Sequence, residues 1–244
     1  MNEGSNGSSP LLALEGVSAG YGPFRALFDV SLAVRERSVT ALLGSNGAGK
    51  TTVARVCSGL VAPTSGRVLL DGEDVSGRPA YEFARRGVIH AVEGRSVFAS
   101  LSVEENLVLT FRQALGKEGV EGAMDKAFDT FPRLGERRKQ EAGTLSGGEQ
   151  RMLSLARVLA NPPRVLVADE LSLGLAPIVV DEVYRVLQAI RETGASLLIV
   201  EQQVTRALSL ADDVVLLGKG AVQYCGPAAG MADRAEQLVP GQPA

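Results

Sequence analysis

The sequence predicts an α/β fold with a β-rich N-terminal part and a helical insertion in its middle. Short apolar runs bounded by turn residues alternate with segments of helical period. Glycine is abundant, 28 of 244 residues, while aromatics are scarce, with no Trp, 4 Tyr and 7 Phe, which favours tight backbone turns over an aromatic surface. The stretch from Glu93 to Thr144 is charged and helical in period and holds no clear strand, whereas the segments on either side read as halves of one sheet.

In chain order, strands are expected at 11–17, 27–34, 39–43, 67–70, 88–91, 165–168, 196–200, 214–217 and 221–224. The last two flank Gly218-Lys219-Gly220 and read as a hairpin. Helices are expected at 50–58, 80–86, 103–115, 120–130, 148–160, 179–193 and 204–210. In 179–193, Val180, Val183, Tyr184, Leu187 and Ile190 form one apolar face, with Arg185, Gln188, Arg191 and Glu192 mostly opposite. There are no internal repeats.

Composition excludes several classes. With 45% hydrophobic and 22% charged residues the chain is globular in balance, and a length of 244 allows one large domain or two small ones. A net charge of −3 argues against a nucleic-acid partner, since neutralising phosphates needs surplus Lys and Arg. A single histidine, His90, rules out a multi-histidine metal site and reads as a packing residue of strand 88–91. Cys57 and Cys225 read as buried free thiols of a reducing compartment. Residues 1–10 are rich in Gly, Ser and Asn and read as a flexible leader, with none of the features of a signal peptide. No apolar run reaches the roughly 18 residues of a membrane span. A soluble, cytoplasmic protein is expected.

Three motifs carry chemistry. Gly44-Ser45-Asn46-Gly47-Ala48-Gly49-Lys50-Thr51 fits G-x-x-x-x-G-K-[ST], follows the strand 39–43 and opens a helix. Its glycines let backbone N–H groups turn inward around a phosphate chain. Lys50 would reach the terminal phosphates, and Thr51 would offer a hydroxyl to Mg²⁺. The second motif is Leu145-Ser146-Gly147-Gly148-Glu149-Gln150, ahead of a helix. Locally it is a capping box of Ser146 and Glu149; its paired glycines also leave N–H groups open for phosphate, and both can hold. The third is Val165-Leu166-Val167-Ala168-Asp169-Glu170, a buried strand ending in two carboxylates. Asp169 suits a direct or water-mediated Mg²⁺ contact beside Thr51, and Glu170 a general base that polarises the attacking water, worth typically ~10²–10⁴ in rate.

In this order and spacing the three motifs resemble the ATP-binding subunit of ABC transporters, over essentially the whole chain from about Leu11. The resemblance implies the ABC ATPase fold: a P-loop core of about 11–92 and 151–244, a helical signature-motif subdomain of about 93–150, and one ATP-binding domain over 11–244. It implies ATP and Mg²⁺ as cofactors, with ATP held by Gly44, Ser45, Asn46, Gly47, Ala48, Gly49, Lys50, Thr51 and Thr52. Tyr21, in Tyr21-Gly22, matches the aromatic that stacks on adenine; a buried core tyrosine is the other reading. Ser146, Gly147, Gly148 and Glu149 would face the ATP of a partner subunit in a head-to-tail dimer.

Departures from the general ABC pattern narrow the resemblance. Glu93, within Glu93-Gly94-Arg95, stands where most members have glutamine, and would contact ATP and the metal. Gln202, within Val200-Glu201-Gln202, stands where a switch histidine is usual; it can hydrogen-bond a γ-phosphate but carries no charge. Ser172-Leu173-Gly174-Leu175-Ala176-Pro177 replaces the usual aspartate by Ala176. Together these are similar to the second ATP-binding subunit of branched-chain amino acid importers. That resemblance implies a second, different ATPase subunit, two membrane permease subunits, an extracytoplasmic solute-binding protein, and a peripheral position on the inner face of the membrane. Leu171 and Val92 stand where that subfamily has proline, so a looser Glu170 is expected. Phe98 is a candidate contact with the membrane partner or, equally, a local buried staple. An importer of urea, amides or other amino acids, and a soluble ABC-type nucleotide switch, remain the alternatives.

Overall fold

The computed structural model describes residues 10–91, 97–160, 162–229 and 231. Two compact units divide the chain, the first comprising residues 1–90, 164–169 and 195–244, the second 91–163 and 170–194. Glu93 and Val92 lie outside the described residues, as does most of the leader.

The first unit is built on two sheets. β1 (Pro10–Tyr21) and β2 (Phe24–Arg35) form an antiparallel hairpin with Tyr21 opposite Phe24, turned by Gly22-Pro23. β4 (Ser65–Leu70) and the two-residue β5 (Glu73–Asp74) complete the sheet in the order β2-β1-β4-β5. The second sheet contains β3 (Val39–Leu43), β6 (Val88–Ala91), β7 (Val165–Asp169), β8 (Ser196–Glu201), β9 (Asp213–Gly218) and β10 (Ala221–Pro227). Its order is β10-β9-β3-β8-β7-β6, with β3 parallel to β8 and β9 and β7 parallel to β8.

Period-two alternation explains how this sheet is covered. Leu42 of β3 and Val215 and Leu217 of β9 join one core with α1 (Lys50–Cys57) and the antiparallel sheet. Ala41, Leu43, Val214 and Leu216 face the other way and pack with Val204 and Ala207 of α8 (Val204–Leu210). β3, β7 and β8 are buried throughout, which is why they read as unbroken apolar runs. α2 (Ala80–Arg85) inserts Phe83 under Gly59, where an added Cβ would lie 2.3 Å from the ring.

The second unit is helical: α3 (Val103–Leu115), α4 (Val120–Thr130), α5 (Pro132–Glu136), α6 (Gly147–Ala160) and α7 (Pro177–Glu192). α6 touches each of the other four, and its fully buried Leu153 and Leu155 supply the centre. α3 opens on a complete capping box: Ser102 Oγ accepts from the Glu105 N–H, and Glu105 accepts from the Ser102 N–H at 2.8 Å. Asn106, 0% exposed, accepts from the Phe98 N–H at 2.8 Å and donates to the carbonyls of Phe98 at 3.0 Å and Ser102 at 3.0 Å. This pins the 98–102 segment and leaves Phe98 47% exposed, under the Arg157 guanidinium, so the ring is not a buried staple.

Helices 103–115, 120–130 and 204–210 and strands 39–43 and 88–91 have the expected bounds. β1 and β2 are longer than expected, because the hairpin continues to its two-residue turn. α5 and a 3₁₀ turn at Ala142–Thr144 have too few residues to show a period and were not expected. Cys57 is buried, which pushes its thiol up to about 12. Cys225, expected to be buried, is exposed because β10 is the sheet edge.

α7 begins with Pro177 at its first position, where the missing N–H costs nothing, but its N-cap, Ala176, makes no side-chain capping bond. Ala176→Asp should therefore stabilise the chain by about 1 kcal/mol. Thermal unfolding should show a midpoint higher by about 2–4 °C; an unchanged or lower midpoint would show that the α7 terminus is already satisfied.

Candidate functional site

In the first unit, β3 delivers the chain directly into Gly44-Ser45-Asn46-Gly47-Ala48-Gly49 and then α1. Gly49, at φ 103°, is the N-cap of α1 and offers no side-chain cap, and the first turn carries no acidic residue. The leading N–H groups of the helix thus face outward with favourable partial charge. The glycines serve different ends. A Cβ on Gly44 would lie 2.3 Å from the Leu217 carbonyl oxygen, so packing beneath the loop demands glycine there. Gly47 has φ 75° with nothing within 4 Å of an added Cβ, so the space above the loop is open. The β9–β10 turn braces the loop: the Gly220 N–H donates to the Ala48 carbonyl at 2.9 Å. Lys50 is 4% exposed and its Nζ donates to the Ser45 carbonyl at 3.2 Å, folding the ammonium over the loop.

Neighbouring strand ends converge on this loop. Leu43 pairs with Glu201 across β3–β8, and Asp169 with Val200 across β8–β7. The residue after β8, Gln202, and the last residue of β7, Asp169, therefore stand at the carboxyl edge of the same parallel strands, the usual ligand edge of such a sheet. Asp169 is 6% exposed, and its Oδ1 has no hydrogen-bond partner among the described residues. His90 Nε2 lies 3.6 Å from Asp169 Oδ2, and His90 Nδ1 is 3.0 Å from Ser58 Oγ. The histidine side chain is 6% exposed, buried as a packing residue would be, but its polar atoms face Asp169 and α1. Tyr21 is 42% exposed, not a core residue; its hydroxyl accepts from Arg55 Nη1 of α1 at 3.0 Å.

In the second unit, Glu170 takes φ 49°, a left-handed conformation that a residue with a Cβ enters at a cost of ~1–3 kcal/mol. The turn after it is held without proline. Leu171 is 2% exposed, and buried Arg151 donates Nη1 to the carbonyls of Leu171 and Leu173. The expected loosening is offset by this grip. The Ser146–Glu149 capping box forms: Ser146 N–H and Oγ–H donate to Glu149 Oε2 at 2.9 and 2.8 Å. Burial works to raise the Glu149 carboxyl, but the Ser146 donors, with Arg137 behind them, hold it below the usual carboxylate range. Gly147 has nothing within 4 Å of an added Cβ, whereas a Cβ on Gly148 would lie 3.0 Å from the Val179 side chain of α7. A cavity of 560 Å³ lined by Ser146, Gly148, Met152, Ile178 and Val179 leaves the first turn of α6 beside open space.

Local patterns found the three motifs. The contacts of His90, Ser58, Arg55 and Arg151 had no signal, since each of these residues lies outside the motifs and meets a partner distant in sequence.

A glycine loop between a buried strand and a helix, with a buried carboxylate on a parallel strand end beside it, defines a P-loop nucleotide-binding protein. Residues 27–172 match the ABC transporter family. The high-affinity branched-chain amino acid transport ATP-binding protein BraG of Pseudomonas aeruginosa is 40% identical over 217 residues, 87% of this chain and 91% of that protein. The probable branched-chain amino acid transport ATP-binding protein LivF of Archaeoglobus fulgidus is 37% identical over 213 residues, 87% of this chain and 90% of that one. Among solved structures, a nucleotide-free ATP-binding cassette from an ABC transporter superposes with TM-score 0.81 at 23% identity, over 96% of this chain and 100% of its own. The chain belongs to the ABC transporter family and is one of its nucleotide-binding ATPases.

The two kinds of glycine predict different outcomes. Gly44→Ala forces a Cβ against a backbone oxygen and should cost about 1–3 kcal/mol, whereas Gly147→Ala, in open space on a helix, should be neutral or stabilise by up to about 1 kcal/mol. Denaturant midpoints of the two variants test this; equal effects would refute the packing role of Gly44.

Proposed function

We propose that this chain is the ATP-hydrolysing subunit that powers an importer of branched-chain amino acids. The observation that carries this reading is its 40% sequence identity to BraG over 87% of this chain and 91% of that one. It works on the inner face of the membrane, with a second ATPase subunit, two permease subunits and an extracytoplasmic solute-binding protein. Among the described residues no helix is long and apolar enough to cross a membrane, which fits a motor that reaches the membrane through partners. Exposed Phe98, on a segment pinned by Asn106, is the candidate contact with a permease.

In this reading the N–H groups from Gly44 to Thr52 and the Lys50 ammonium hold the phosphates, and Tyr21 stacks on adenine. Gln202 hydrogen-bonds the γ-phosphate, and Glu93 completes the site. Thr51 and Asp169 fit Mg²⁺: Asp169 Oδ1 is a buried acceptor with no hydrogen-bond partner among the described residues. Mg²⁺ held by so few protein groups would take its remaining ligands from water and the nucleotide phosphates. Bound there, Mg²⁺ would neutralise charge on the β- and γ-phosphates. Glu170 accepts a proton from the attacking water as the bond between the γ-phosphorus and the ADP oxygen breaks. Ser146, Gly147, Gly148 and Glu149 present the α6 N-terminus to the ATP on the partner subunit, and ATP bound by both draws the pair together.

Purification of the tagged chain from membranes of its native cells should recover two polytopic membrane proteins and a second cassette subunit. Recovery alone or with ribosomes would overturn the transport reading. Glu170→Gln should abolish turnover, with a loss of at least about 10²-fold, and accumulate an ATP-bound dimer on size-exclusion chromatography. Unchanged hydrolysis would exclude Glu170 as the base.

A further inference from the structure

The polar contacts around His90 form a chain that no motif describes. Ser58 is the C-cap of α1, the helix that begins at the phosphate loop, and is 5% exposed. Its Oγ lies 3.0 Å from His90 Nδ1, 2.9 Å from the Ala54 carbonyl and 3.2 Å from that of Arg55. Across the ring, Nε2 stands 3.6 Å from Asp169 Oδ2, with both side chains more than nine-tenths buried, at 6% and 8% exposure. Neither His90 Nε2 nor Asp169 Oδ1 has a hydrogen-bond partner among the described residues. Such orphaned buried atoms carry a desolvation penalty unless something satisfies them.

The ring hydrogen belongs on Nε2. A bare Nε2 would set a nitrogen lone pair against a carboxylate oxygen in a buried place, two acceptors facing each other. With hydrogen on Nε2, Nδ1 becomes the acceptor and Ser58 can give it the hydroxyl proton. The single Ser58 hydroxyl proton then goes to Nδ1 in place of the Ala54 and Arg55 carbonyls, and the Arg55 carbonyl still accepts from the Leu60 and Val61 N–H groups at 2.8 and 3.2 Å. At 3.6 Å the contact with Asp169 is a charge–dipole attraction, and an approach of about 0.6 Å would make it a hydrogen bond.

We propose that His90 is a positioning residue for Asp169: held by Ser58, it occupies the Oδ2 side of the carboxylate and turns Oδ1 toward the cation that accompanies the nucleotide. The proposal rests on the reading of Asp169 as the metal-facing carboxylate. It also ties the end of the phosphate-loop helix to the strand bearing that carboxylate through two side chains. Partners that orient a metal-facing carboxylate typically contribute about 10–100-fold in metal affinity or activity.

The test measures the dissociation constant of a fluorescent ATP analogue in Mg²⁺ and in EDTA, for the full chain and its variants. The ratio of the two constants reports the metal's contribution, separate from turnover and from nucleotide binding as such. His90→Leu should lower that ratio about tenfold with the EDTA value unchanged. His90→Gln, whose amide can donate to Asp169, should retain most of it. Ser58→Ala, which frees the ring without removing it, should give a smaller loss in the same direction. A ratio lowered by Asp169→Asn but unchanged in His90→Leu and Ser58→Ala would overturn the proposal. A rise in both dissociation constants together, in proportion, would show a structural role only and also overturn it. A ratio unchanged in Asp169→Asn as well would overturn the underlying reading of Asp169.

Discussion

Because β3, β8 and β7 lie side by side, parallel and buried on both faces, their register decides where every group at their carboxyl ends stands. Leu43 opposite Glu201 and Val200 opposite Asp169 set the glycine loop, Gln202 and Asp169 along one edge. A slip of one residue would turn Leu42 and Val215 away from the α1 face and exchange two apolar sets at once. The cost of that exchange is what holds a polar edge in place. The loop inherits its rigidity from below as well, through Gly220 on Ala48 and the close approach of Leu217 to Gly44.

The second unit solves a different problem, presenting a helix start. α6 is anchored by four other helices, so the Ser146–Glu149 box at its head stands on a fixed base. The same helix carries Arg151, whose guanidinium binds the carbonyls after Glu170. Those hydrogen bonds lie where the backbone is strained, beside Glu170 at φ 49°. Leu171 adds apolar burial where proline would have supplied stiffness. The turn is thereby fixed by packing and hydrogen bonding in place of ring geometry.

The carboxylates in the two units are treated differently. Glu149 has its acceptors filled by Ser146 and Arg137, whereas Asp169 is buried with an oxygen unfilled among the described residues. A filled carboxylate is a structural cap. An unfilled buried one leaves an acceptor open, which suits the ligand role proposed for Asp169, and His90 Nε2 stands 3.6 Å from its other oxygen.

The residues alone determined the element types, the three motifs and the family, because these rest on local spacing: period two against 3.6, glycines at fixed offsets, a carboxylate at a strand's end. The same local logic found the capping box of Ser146 and Glu149 and the apolar face of α7. It could not find β5, α5 or the exposure of Cys225, since two residues, five residues and an edge position leave no periodic trace. Nor could it find the polar chain. Ser58, His90 and Asp169 come from a helix end and two strands, and only the folded register brings them within 3.0 and 3.6 Å of one another. The single histidine of the sequence thus read as packing, and tertiary structure alone showed that its ring joins the phosphate-loop helix to the acidic strand end.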